Sequence, residues 1–145
     1  MTEHPSEDHL NGWCTLTVPS DLKALPLVRR TVETMCEVCR LPASRSSEIV
    51  LATHEACTNI IRHAHGNQSD LPLTIAVRAS ENAFEIKILD RGAPFDFDAV
   101  PELDPVEVRE GGRGVYLIRR LMDEVTCSPV AGGGNETHMV KRLAR

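Results

Sequence analysis

The stretch from Ser46 to His65, SSEIVLATHEACTNIIRHAH, constrains this chain more than any other. At about 100° per residue, Ile49, Val50, Ala52, Thr53, Ala56, Cys57, Ile60, Ile61 and Ala64 fall within one arc of about 180°. That spacing predicts a helix buried along one side, which needs a second layer to cover it. With Glu55 as zero, Glu48, Asn59 and His63 lie at about 20°, 40° and 80°, bordering the apolar arc. Glu55, Asn59 and His63, at i, i+4 and i+8, therefore stack in a row and can converge on one ligand. A carboxylate can take up a proton, and an amide oxygen can ligate a hard cation such as Mg²⁺. Taken alone, such a pair is more often the solvated flank of an amphipathic helix. The zinc-protease pattern H-E-x-x-H starts at His54 and Glu55 but fails at Thr58.

Before this helix, Trp13 to Val18 is rich in β-formers and bounded by Gly12 and Pro19, which predicts a strand. Leu22, Leu25, Val28, Val32, Met35, Cys36 and Cys39 then recur at helical spacing, predicting a helix from about Ser20 to Arg40. Asp21 or Ser20 can cap it, and Pro26 either kinks it or marks its true start. Arg29 and Arg30 lie outward on that helix, where they are solvated or meet a protein partner. After the loop 66–70, residues 71–79 and 83–90 alternate apolar and polar, the pattern of a hairpin with one buried face.

The second hairpin strand runs into Asp90-Arg-Gly92-Ala-Pro94-Phe95, which sets a carboxylate at a pocket rim on tightly turning backbone. Residues 96–111 carry two prolines, high charge and no sustained periodicity, the composition of a lid or binding loop, or of a surface insertion. Gly111, Gly112 and Gly114 then open a segment of helical period, Val115 to Met122. Glycine-rich backbone entering a helix N-terminus suits an anion, because free N–H groups and the positive end of the helix dipole point to one place. Neither G-x-x-x-x-G-K-[ST] nor G-x-G-x-x-G is present, so a different phosphate-binding architecture is required. Residues 124–130 and 136–143 read as closing strands joined by a glycine-rich turn.

At 145 residues the chain has the size of one domain, burying about two-thirds of its unfolded surface. Residues 1–12 are expected to form a flexible N-terminal tail and 13–145 a single domain. Sixteen Lys and Arg against 21 Asp and Glu give a net charge of −5, without the basic stripe that nucleic acid requires. No apolar run approaches a membrane span, so neither membrane nor nucleic acid is an expected partner. Five scattered cysteines suit reduced thiols in a cytosol. Cys36 and Cys39 form a C-x-x-C inside a helix with no second pair, so a metal or redox site there is disfavoured.

Together these blocks are more specific than any one of them. Glu55-x-x-x-Asn59 on a helix, Asp90-x-Gly92-x-Pro94 after a strand, Gly112-Arg113-Gly114 opening a helix and Thr137 on a late strand resemble the nucleotide boxes of the ATPase superfamily shared by gyrase, Hsp90, histidine kinases and MutL. EACTNIIRHAH, ILDRGAPFD and GGRGVYLIRRLMDEV most resemble the bacterial anti-sigma factor serine/threonine kinases, over residues 13 to 143.

The resemblance implies an α+β fold, a two-layer sandwich with helices on one face of a mixed, mostly antiparallel sheet. It implies Glu55 as general base, Asn59 as the Mg²⁺ holder and Asp90 as acceptor of the adenine amino group, with Gly92 shaping that pocket. Gly112, Arg113 and Gly114 would contact phosphates, and Thr137 would close the adenine side. The implied protein is a cytoplasmic, homodimeric kinase that uses ATP and Mg²⁺. It would phosphorylate an anti-sigma-factor antagonist and sequester a sigma factor. The alternative is a catalytically silent ATP-binding module that sequesters a protein partner.

Overall fold

The computed structural model describes residues 12–94 and 113–143. The N-terminal tail through residue 11, the 96–111 segment expected as a lid, Phe95 and Gly112 lie outside the described residues.

Strand β1 is Cys14–Pro19. The chain then makes one 3₁₀ turn, Leu22–Ala24, capped where the Asp21 carboxylate accepts the Lys23 N–H at 2.9 Å. Helix α1, Leu25–Val38, starts beside Pro26, so this proline marks the true start of the helix rather than a kink. Arg40, at φ 56°, turns the chain out of α1 in a left-handed conformation. Helix α2, Ala43–Asn59, begins earlier than the periodicity predicts and changes geometry at its end. Over Ile60–Ala64 it widens into a π turn, in which the His65 N–H reaches the Ile60 carbonyl at 2.8 Å. Such turns often mark functional sites because they re-aim side chains.

Strands β2, Pro72–Ala79, and β3, Ala83–Asp90, form the expected hairpin. Helix α3 is Arg113–Leu121, followed by β4, Glu124–Pro129, and β5, Asn135–Arg142. The sheet order is β1-β2-β3-β5-β4, and each pairing among the described residues is antiparallel.

All three helices serve one apolar face of the sheet. Ile49, Ala52, Ala56, Cys57 and Ile61 of α2 are buried with Val28, Val32 and Cys36 of α1, with Leu73, Ile75, Phe84, Ile86, Ile88 and Met139 of the strands, and with Val115 and Ile118 of α3. The outer face is polar: Arg78 reaches Glu85 through Nε and Nη2 at 2.9 and 2.8 Å, and Arg78 and Lys87 lie over the Trp13 ring. This two-layer division follows from the alternation in the strands, which gives the sheet one face to bury. The edge of α2 is also tied down: buried Lys141 donates to Glu48 and to the Leu121 carbonyl, linking α2, β5 and the end of α3.

Candidate functional site

A cavity of about 370 Å³ opens where the end of α2, the exit of β3, α3 and the starts of the closing hairpin meet. Asn59, Ile60, His63 and Ala64 come from α2 and its π turn, Asp90, Ala93 and Pro94 from the β3 exit, and Ile118 from α3. Cys127 on β4, with Asn135 and Thr137 on β5, forms the remaining wall. A mostly apolar cavity of this size, with a few fixed polar groups, is the usual form of a small-molecule site.

Asp90 is the charged group of this cavity, 6% exposed at the last residue of β3. Its Oδ1 accepts the Gly92 N–H at 2.8 Å and the Asn135 side-chain amide at 3.1 Å. The same amide donates to the Ala93 carbonyl at 2.8 Å, so Asn135 spans the turn that leaves β3. Gly92 is required by close approach: a Cβ there would stand 2.7 Å from both the Cβ and the carbonyl oxygen of Ala64. Gly134 meets the other side of the turn at φ +88°, where a Cβ would fall 1.9 Å from the Asp90 carbonyl oxygen.

His65 holds this turn to the rest of the fold. The ring is buried, with Nδ1 2.7 Å from Ser20 Oγ and Nε2 2.8 Å from the Arg91 backbone nitrogen. A backbone N–H can only donate, so Nε2 accepts and Nδ1 carries the proton that it gives to Ser20. Burial lowers the imidazole pKa below its ordinary value, against the opposing charge of Asp90.

Asn59 also lines the cavity. Its side chain lies against the first turn of α3, where a Cβ on Gly114 would come within 3.2 Å of Nδ2 and 3.4 Å of Oδ1. The amide is thereby set beside a helix N-terminus, whose backbone N–H groups lack intrahelical partners. Glu55 stands one turn earlier on α2, half-buried and outside the cavity lining. Thr137 is buried in the wall, its hydroxyl 3.6 Å from Cys127 Sγ. Asn59, Asp90 and Thr137 line the cavity, with Gly92 hydrogen-bonded to Asp90 and Gly114 beside Asn59, whereas Gly112 and the Arg113 side chain lie outside the described residues.

The sequence reading assigns no site role to Asn135, which it leaves in the glycine-rich turn, or to His65. The strand alternation that places Thr137 inward also places Asn135 inward, but the predicted strand began one residue too late to include it.

Arg29 and Arg30 are exposed on α1. Arg29 pairs with Glu33 at 3.6 Å and lines a second hollow of about 290 Å³ together with Leu22, Pro26, His54, Thr58 and Arg62. Thr58 Oγ1 is buried and has no hydrogen-bond partner among the described residues. Cys36 and Cys57 are buried, and desolvation pushes their thiols up to about 11 and about 12. They therefore remain protonated near neutral pH, as core residues do.

The architecture and cavity define the class: a helix-backed antiparallel sheet whose ligand site lies between its helices and the strand ends. The model of the histidine kinase-like ATPase domain matches residues 18–141. This chain belongs to that family. It is 32% identical over 125 residues to the serine-protein kinase RsbW of Halalkalibacterium halodurans, covering 81% of this chain and 76% of that protein. It is 30% identical over 140 residues to RsbW of Bacillus pumilus, covering 90% and 85%. Among solved structures, the RsbU and RsbW domains of Rv1364c from Mycobacterium tuberculosis match with a TM-score of 0.68 at 18% identity, over 93% of this chain and 33% of that one. The SiaB-SiaC complex from Pseudomonas aeruginosa matches at 0.62 and 13% identity, over 94% and 92%. These two likenesses show the fold.

Proposed function

We propose that this chain is an ATP-dependent serine/threonine protein kinase acting as an anti-sigma factor, which phosphorylates an anti-sigma-factor antagonist. The observation that carries this reading is the placement of Asn59 against the first turn of α3, with Glu55 one helical turn away and a buried Asp90 lining the same cavity as Asn59. Names of the related proteins support the choice of a serine kinase.

On this reading the adenine amino group is accepted by Asp90, and Thr137 and Ile118 wall the base. The phosphates extend toward Arg113 and Gly114 at the start of α3, where backbone N–H groups neutralise negative charge, with Gly112 as the further phosphate contact that the sequence motif implies. Mg²⁺ suits the Asn59 amide oxygen, a hard neutral donor set beside that helix start. When bound it would neutralise phosphate charge as the phosphoryl group moves. Among the described residues no three His, Cys, Asp or Glu side chains converge on a metal, so Asn59 is the side chain that would hold Mg²⁺ here. Glu55 orients the substrate hydroxyl and accepts its proton, the role phosphoryl transfer leaves to a side chain.

Partner choice belongs to the surface. The hollow beside α1 offers Arg29 and Arg62, a fit for an acidic side chain of the antagonist or of a sigma factor. Arg30 stands next to it. A homodimer working in the cytoplasm completes the picture. Among the described residues no helix is long and apolar enough to cross a membrane.

Incubation with labelled ATP, Mg²⁺ and candidate antagonists tests the activity, with acid-stable phosphoserine or phosphothreonine as the readout. Glu55→Ala is expected to lower transfer at least about 100-fold while leaving ATP affinity within about threefold of wild type. Equal modification by wild type and Glu55→Ala would remove the base role, and absence of any modification with partner binding intact would favour the silent ATP-binding module.

A further inference from the structure

Asn135 is 1% exposed, stands opposite Asp90 in the β3–β5 register and lines the cavity. Its amide faces two acceptors, Asp90 Oδ1 at 3.1 Å and the Ala93 carbonyl at 2.8 Å. Only the NH₂ end can satisfy both, so the chemistry fixes which way the amide points. Asp90 Oδ1 is thus saturated by Asn135 and the Gly92 N–H, whereas Oδ2 makes no hydrogen bond among the described residues. A carboxylate at a strand end can otherwise rotate about its side-chain torsions and present either oxygen.

We propose that Asn135 is a positioning residue for base recognition: by holding Asp90 Oδ1 and the Ala93 carbonyl together, it fixes Oδ2 as the acceptor that selects a 6-amino purine over a 6-oxo purine. The inference rests on the reading of this cavity as the adenine pocket. A fixed carboxylate oxygen attracts an exocyclic amine and repels a carbonyl oxygen in the same place, so rigidity converts directly into selectivity. Asn135 has the shape for this because it supplies two donors from one nitrogen. Asp supplies none near neutral pH, and Thr or Ser supplies one.

The test is equilibrium binding of ATP and of inosine triphosphate to wild type, Asn135→Leu and Asn135→Thr. The two ligands differ only at the base edge that carries the 6-amino or 6-oxo group. Wild type is expected to prefer ATP. Asn135→Leu, close to Asn in size but without donors, is expected to lower the ATP-to-inosine ratio about tenfold, the scale of one hydrogen bond to a charged group. Asn135→Thr is expected to fall between the two, and it carries the test if the Leu variant does not fold.

A merely structural role would weaken both nucleotides alike, so an unchanged ratio in the variants overturns the positioning role while leaving the nucleotide site standing. Wild type that binds neither nucleotide at millimolar concentration overturns the adenine pocket itself, and the positioning role with it.

Discussion

His65 shows how much one side chain decides at this site. It joins the end of β1, the last turn of α2 and the backbone that follows Asp90, and it does so as a neutral ring. Protonating Nε2 would convert the acceptor of the Arg91 N–H into a second donor and open that contact. Because burial lowers the folded-state pKa, the unfolded chain takes up a proton at higher pH than the folded one. The contribution of His65 is therefore complete above about pH 6.5, the ordinary histidine value, and is lost as pH falls through the lowered one. Urea midpoints of wild type should fall between neutral pH and about pH 5. In His65→Gln, which keeps an acceptor but does not titrate, the fall should be smaller. An identical fall in the two proteins would show that other groups carry the acid sensitivity.

At the scale of elements, the site depends on how closely three segments approach one another. The β3 exit is pressed between the π turn of α2 and the turn before β5: its own Gly92 lies against Ala64, and Gly134 lies against its backbone at Asp90. Gly132 and Gly134 provide a controlled comparison within one turn. Both have positive φ, +96° and +88°, but a Cβ on Gly132 meets open space whereas one on Gly134 collides with the Asp90 backbone. Gly132→Ala should cost about 1 kcal/mol, the strain of a left-handed alanine. Gly134→Ala should cost clearly more and should also weaken ATP binding, because the turn holding Asp90 must move. Denaturant unfolding and nucleotide titration of the two variants check this, and equal losses would refute the close-approach argument.

On the scale of the whole molecule, the cavity proposed for the nucleotide and the α1 hollow share no lining residue among those described, with α2 contributing residues to both. Asn59 and His63 face the first, and His54, Thr58 and Arg62 face the second. One helix thus carries both the proposed chemistry and the proposed partner contact. Arg29→Ala is expected to weaken binding of the antagonist or sigma factor by about tenfold, with ATP affinity unchanged, since its guanidinium is remote from the cavity lining. Calorimetric titration of each ligand separates the two faces. A parallel loss of ATP affinity would mean that they are coupled through α2.

What the sequence determined by itself was set by local periodicity and by short motifs. The apolar arc of α2, the alternation in β2 and β3, and the period of Val115, Ile118 and Met122 fix which face each element buries, and those are properties of a few neighbouring residues. They were enough to place a half-buried helix, a hairpin and a glycine-led helix in order, while helices on one side of a sheet and a common site for Asn59, Asp90, Gly92, Gly114 and Thr137 are what the family resemblance implies. The widening of α2 at Ile60 was not legible, because a π turn is accommodated by packing against the β3 exit rather than encoded by spacing. Nor were the amide of Asn135 on Asp90, or the imidazole of His65 between Ser20 and Arg91, since each joins residues distant in sequence. Tertiary structure decided these contacts: a buried polar group takes whichever partner the closed fold brings within reach, and the cost of leaving it unpaired then makes that partner specific.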